Sequence, residues 1–151
     1  MQIFKFERIQ LLPITIEQAW AYFSNPNNLS ELTPPELALH IKSLSCAEIY
    51  NGLMIEYTVK PLLGMEMPWV SEIKHVVRPF SFVDEQRVGP YKLWYHQHIL
   101  KPKGDKLEVI DQIYYGLPGG PLAFLLNHFL IKRKLNEIFA FRKKVLAEKF
   151  Y

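Results

Sequence analysis

Apolar and polar positions alternate along most of this chain, in blocks that end at glycine, proline or asparagine. Side chains of a β-strand point to opposite faces in turn, so such alternation predicts half-buried strands. Residues 4–12 predict a first strand. Leu39, Ile41 and Ser43 alternate with His40 and Lys42, and Leu53, Ile55, Tyr57 and Val59 with Met54, Glu56, Thr58 and Lys60. Trp69, Ser71, Ile73, His75 and Val77 alternate with Val70, Glu72, Lys74 and Val76. Residues 82–88, 91–100 and 106–115 complete the series. Turn signals stand at Asn51-Gly52, Leu63-Gly64, Pro79, Gly89-Pro90 and Lys103-Gly104. The short intervals between strands imply an antiparallel meander.

Two segments carry helical signals instead. Thr15-Ile16-Glu17-Gln18 is a capping box, in which Thr15 bonds the first turn and Gln18 reaches back. The helix it starts carries Ala19, Trp20 and Phe23 on one face and stops at Ser24-Asn25-Pro26, because Pro26 disfavours helical geometry at Asn25. A second short helix is expected over residues 28–32, closed by Thr33-Pro34-Pro35. From Pro121 to Lys149 there is no further glycine or proline. Phe124, His128, Ile131, Leu135, Ile138, Arg142 and Val145, thickened by Phe139 and Leu146, form a stripe of helical period. A helix of about 28 residues spans roughly 42 Å, enough to cross a whole sheet. The expected fold is α+β: a curved seven-stranded antiparallel sheet around a long C-terminal helix, with two short helices between the first two strands. One domain covers residues 1–151.

Composition narrows the classes. Apolar residues make up 49% and aromatic residues 14%, which marks a globular, aromatic-rich chain able to bury a core. The single cysteine, Cys46, excludes an internal disulfide and fits a reducing, cytoplasmic setting. Residues 1–8 are interrupted by charge and do not read as a signal peptide. No apolar run reaches the ~18 residues of a membrane span. A net charge of +3 is too small to argue for nucleic acid, and none is expected as a partner.

The chemistry lies on the face expected to be covered. In the strand of Trp94, His96, His98 and Leu100 these four share one side. A turn at Pro102-Lys103-Gly104-Asp105 brings Leu107, Val109, Asp111, Ile113 and Tyr115 to the same side, with His96 opposite Asp111 and His98 diagonal to it. Two imidazoles and a carboxylate then sit on the apolar face, where polar groups must be paired or must serve a ligand. His96, Asp111 and His98 read either as an acid–base set or as a cross-strand hydrogen bond that holds the hairpin in register. A metal site is not expected: a flat strand spaces these groups by ~7 Å and no fourth ligand is evident. Asp84 and Gln86 join the cluster if the Gly89-Pro90 turn has no bulge; a one-residue shift substitutes Glu85 and Arg87. Ile55, Tyr57, Trp69, Ser71, Ile73 and His75 line the middle of the sheet, and Ser71 and His75 could hydrogen-bond a ligand. The turns at one end are apolar, which places a pocket rim at Leu62, Leu63, Met65, Tyr91, Leu122 and Phe124. Lys132, Arg133, Lys134, Arg142, Lys143, Lys144 and Lys149 read as a solvated helix face that could also favour peripheral contact with anionic membranes.

The order of motifs resembles the START-like superfamily, also called SRPBCC or Bet v 1-like, with its helix-grip fold, and within it small bacterial ligand-binding members. The likeness rests on Pro13 with Ala19-Trp20-Ala21-Tyr22-Phe23, Asn25-Pro26-Asn27-Asn28-Leu29 and Leu32-Thr33-Pro34. It continues through Asp84-Glu85-Gln86, Gly89-Pro90-Tyr91, Trp94-x-His96-x-His98, Asp111 and Tyr115-Gly116-Leu117-Pro118-x-Gly120. The resemblance implies a cavity between sheet and C-terminal helix that holds an apolar or aromatic small molecule, lipid- or polyketide-like, without a cofactor. On that implication Trp94, Tyr115, Phe124, His128 and Ile131 join the ligand-binding set named above. Two rival readings stand beside it: a cyclase- or dehydratase-like enzyme using His96 and Asp111, and a protein-interaction module using the apolar end, as monomer or homodimer.

Overall fold

The computed structural model describes every residue except 43, 45, 62 and 63. Seven strands, β1 (Ile3–Leu12), β2 (His40–Ile41), β3 (Met54–Val59), β4 (Met67–Val77), β5 (Ser81–Val88), β6 (Leu93–Lys103) and β7 (Lys106–Gly116), form one antiparallel sheet in the order β1-β7-β6-β5-β4-β3-β2. Six strands meander, and β1 closes on the last of them. Helix α1 (Ile16–Phe23) begins with the expected capping box. Thr15 N–H donates to Gln18 Oε1 at 2.9 Å, and Gln18 N–H donates to Thr15 Oγ1 at 3.2 Å. The second short helix is instead a pair of tighter 3₁₀ turns, Pro26–Leu29 and Pro35–Leu37. Each opens on a proline, whose fixed φ suits a first helical position.

The C-terminal helix is not uniform. A 3₁₀ turn, Gly120–Leu122, leads into α2 (Ala123–Leu126), then a π-helical turn, Asn127–Ile131, and finally α3 (Lys132–Phe150). A π turn takes one residue more than an α turn, so it shifts the phase of everything before it. From Ile131 onward the predicted stripe is buried: Ile131, Leu135, Phe139, Arg142 and Leu146. Toward the start of the helix, Ala123, Leu126 and Asn127 turn inward, while Phe124 and His128 turn out to solvent. Both were expected inside, and the extra residue moves both out.

Two further one- or two-residue shifts separate expectation from structure. The β6–β7 turn is a two-residue hairpin, Gly104-Asp105, so His98 pairs with Asp111 and His96 with Ile113. A shift of two preserves the face, so the cluster survives with its diagonal exchanged. In β4 the register slips between Lys74 and Val77, where His75 has φ 51. This bulge sends His75 into solvent and Val76 against the core, so His75 lines nothing.

The core lies between the sheet's concave face and the helices. Phe6 meets Phe139 at 5.1 Å between rings, Gln10 Nε2 donates to Lys143 O at 3.0 Å, and Tyr151 Oη donates to Leu11 O at 3.0 Å. These contacts seat α3 over β1. Removing the Thr15 hydroxyl (Thr15→Ala) is expected to destabilise the fold by about 1 kcal/mol. Denaturant titration checks this, with a lower midpoint and an unchanged slope.

Candidate functional site

Alternation along three neighbouring strands sets the site. β5 supplies Phe82 and Asp84, β6 supplies Trp94, His96 and His98, and β7 supplies Asp111, all on the concave face; α3 adds Arg142 from above. Asp84 pairs with His96 across β5 and β6, as expected for a turn without a bulge. Gln86 does not join the cluster. Its side chain bonds the backbone of Tyr91 in both directions, accepting from N–H at 3.1 Å and donating to O at 2.7 Å. It lies where a side chain on Gly89 would be, 2.4 Å from the Cβ position, so Gly89 is what lets it brace the turn.

The two carboxylates and two imidazoles form a closed ring. Asp84 Oδ2 stands 3.3 Å from His96 Nδ1 and 2.5 Å from His98 Nε2. Asp111 Oδ1 stands 2.9 Å from His96 Nε2, 3.5 Å from His98 Nδ1 and 3.3 Å from Arg142 Nη2. The shared carboxylates draw the imidazoles together, to 3.8 Å between ring centres. Phe82 stacks on the outer face of His98 at 4.3 Å, and Phe139 meets His96 edge-on at 6.0 Å.

This geometry fixes the charges. Burial alone would lower the His96 pKa, but the Asp84 charge and hydrogen bonds to both carboxylates outweigh it and raise the value to about 9. His96 is therefore an imidazolium with both N–H groups donated to carboxylates. Burial, reinforced by the neighbouring charge of His96, pushes His98 down to about 4, so it is neutral at pH 7. Burial would raise both aspartates; the His96 charge for Asp84, and Arg142 with His96 for Asp111, hold them well below the usual carboxylate range. Asp84, His96 and His98 bring donor atoms within 4.8 Å of one another, a spacing that could suit a metal ion. Their nitrogens, however, already face carboxylate oxygens of Asp84 and Asp111.

A cavity of ≈ 200 Å³ lies beside this ring. Of the residues expected to line it, Ile55, Tyr57, Trp69, Ser71, Ile73, Asp84, Trp94, His96, His98 and Ile131 do so. Asp111 sits behind the imidazoles rather than on the wall. Tyr115 is in the packed core, its hydroxyl donating to Asn127 Oδ1 at 2.6 Å. Ser71 is occupied by its neighbours: Trp69 Nε1 donates to its Oγ at 3.1 Å, and Tyr57 Oη lies 3.4 Å away. Burial and the Asp84 charge push the Tyr57 phenol up, so it stays protonated. The third wall, which periodicity did not single out, comes from Tyr22, Phe23, Leu29, Leu32 and Leu37 around α1 and the 3₁₀ turns.

The expected rim is displaced. Half-exposed Leu39, Pro61 and Lys134 stand at the cavity's outer edge. Tyr91 lines the interior, whereas Met65, Leu122 and Phe124 are exposed and border no part of it. Leu62 and Leu63 lie outside the described residues. Arg142, expected on the solvated basic face as well as on the apolar stripe, is instead buried against Asp111; a cation between Phe139 and Leu146 was the signal for a buried counter-charge.

Neither a protein-family model nor a curated protein matches the chain. Solved structures do. A START superfamily protein from Mycobacterium smegmatis aligns with TM-score 0.68 at 12% identity, over 97% of this chain and 96% of that one. Ara h 8.0201 aligns with TM-score 0.62 at 15% identity, over 97% and 99%. The di-domain ARO/CYC StfQ from the steffimycin biosynthetic pathway aligns with TM-score 0.68 at 10% identity, over 97% of this chain and 52% of that one. At such identities the likeness concerns architecture, and it agrees with the sheet and helix described above: the chain has a START-like, helix-grip fold. No helix among the described residues is long and apolar enough to cross a membrane.

The ring makes stability depend on pH in both directions. His96 has a raised pKa, so its contribution is complete below the ordinary histidine value of 6.5 and is lost as pH rises through about 9. His98 has a depressed pKa, so its contribution is complete above 6.5 and is lost as pH falls toward about 4. The melting temperature is expected to peak near pH 6.5 and to fall by roughly 5–10 °C on each side. In His96→Gln the alkaline decline disappears, and the acid decline shrinks, because His98 loses its cationic neighbour and its pKa rises back toward 6.5. A flat profile between pH 5 and 9 in differential scanning calorimetry would contradict the ring.

Proposed function

We propose that the protein binds, or carries, an apolar or aromatic small molecule, lipid- or polyketide-like in character, in the cavity between sheet and helix. The observation that supports this reading is the make-up of the wall: mostly aliphatic and aromatic side chains, with a charged cluster at Asp84, His96, His98 and Arg142 and uncharged polar groups at Asn25, Asn28, Thr33 and Ser71. Burial of ligand area supplies affinity at ~25 cal/mol per Å² before ordering costs. A single charged cluster in a mostly apolar pocket selects the orientation of the ligand.

Acid–base catalysis by His96 and Asp111 is the second reading. His96 on the cavity wall with a carboxylate behind it is the arrangement such chemistry uses. A general base needs a free lone pair, however, and both His96 nitrogens are engaged by carboxylates. This favours binding over turnover.

N-phenylnaphthylamine, a neutral apolar fluorophore, is expected to bind saturably with one site per chain, read from its own emission. Ile138 lines the cavity from α3, and Ile138→Trp is expected to fill the space, weakening binding by about tenfold or more without lowering the melting temperature. Absence of saturable binding by the unmodified protein would remove the proposal. His96→Ala separates a functional from a structural role of the His96–Asp111 pair: lost stability with unchanged probe affinity marks the pair as structural.

A further inference from the structure

Resting on the cavity reading above, we infer that the ligand is an uncharged molecule presenting a carbonyl oxygen, as a ketone, quinone or ester does, to the guanidinium of Arg142, and that carboxylate ligands are disfavoured. Three observations carry this.

The first is an excess of donors on one wall. Arg142 is 7% exposed and stands among Leu135, Phe139 and Leu146 on the buried stripe of α3. Its guanidinium lies over Phe23 at 5.4 Å and Phe139 at 5.7 Å. A guanidinium carries five N–H donors. Here it meets one carboxylate oxygen, Asp111 Oδ1, at 3.3 Å, and that oxygen already accepts from His96 at 2.9 Å. Among the described residues Arg142 Nε is buried without a hydrogen-bond partner. Buried donors without acceptors are unfavourable, so a ligand that brings an acceptor to this wall gains what the protein alone does not supply.

Charge provides the second. The carboxylates of Asp84 and Asp111 are balanced by the His96 imidazolium and the Arg142 guanidinium, with His98 neutral. A ligand carboxylate seated here would leave an uncompensated negative charge in the interior, which is costly. A neutral carbonyl satisfies the donors without disturbing the balance. Lys134, at the outer edge, already lies 3.7 Å from Glu137 Oε2.

Size is the third. A cavity of about 150 Å³ suffices for benzene, so ≈ 200 Å³ suits a buried portion of one or two fused rings.

Three shape-matched probes test the inference by titration calorimetry: ethylnaphthalene, acetylnaphthalene and naphthoate. Burial of apolar area alone ranks the ethyl compound first. The inference reverses that order, with acetylnaphthalene binding about tenfold tighter than the other two. In Arg142→Met the advantage of the acetyl compound is expected to vanish while ethylnaphthalene binds as before. Should that variant fail to fold, the unmodified protein still decides. The carbonyl stretch of bound, carbon-13-labelled acetylnaphthalene should lie below its value in an alkane solvent, as a hydrogen bond from a cation requires. Ethylnaphthalene equal to or tighter than acetylnaphthalene, naphthoate tightest, or an unshifted stretch each overturns the inference and leaves the apolar cavity standing. Failure of all three probes to bind removes the cavity reading itself.

Discussion

Charge cannot be buried singly, and the interior of this fold is organised by that constraint. Two aspartates on the concave face of a sheet would be untenable without cations within hydrogen-bond reach. β6 supplies the nearer cation, His96, which serves both carboxylates at once, and α3 supplies the second, Arg142, across the core. The ring therefore ties three adjacent strands to the helix that covers them. Removing one member leaves a carboxylate or a cation stranded in an apolar setting. The penalty for that is larger than the worth of any one contact, which is why the cluster acts as a unit.

The same tether shapes the empty space. Contacts of Phe139, Lys143 and Tyr151 hold α3 toward β1. β3 lies on the far side, where the second 3₁₀ turn meets its end instead: Lys60 N–H donates to Leu37 O at 2.7 Å. Helix, sheet and short helices thus meet along three lines without filling the volume between them. The polar ring lies where the helix approaches the sheet, and the aromatic pair Tyr57 and Trp69 lies where it does not. The hollow accordingly has one polar end and one apolar end.

Much of this was legible in the amino-acid order. Alternation placed Asp84, Trp94, His96, His98 and Asp111 on one face, and a register error of two residues at Gly104-Asp105 did no harm because strand faces repeat every two. Shifts of one residue were not legible. The bulge at His75 and the π turn at Asn127–Ile131 each insert a single position, and each reverses or rotates the faces on one side of it. Periodicity reads a phase within an element but does not detect where that phase is broken. Arg142 was visible as a cation out of place on an apolar stripe, yet its partner was not, because pairing between a helix and a strand is a property of packing rather than of spacing.

The π turn has a consequence of its own. Its extra residue works as an angular offset between two halves of one rod, about 100° for each residue inserted or removed. Rewinding of the same residues as a uniform α-helix, with none removed, would swing the leading half around its axis. Phe124 and His128 would exchange solvent for the interior, while Ala123 would be carried outward. In this architecture, the outward display of the helix's first two turns is thus a matter of how one turn is wound, separable from the composition of either half.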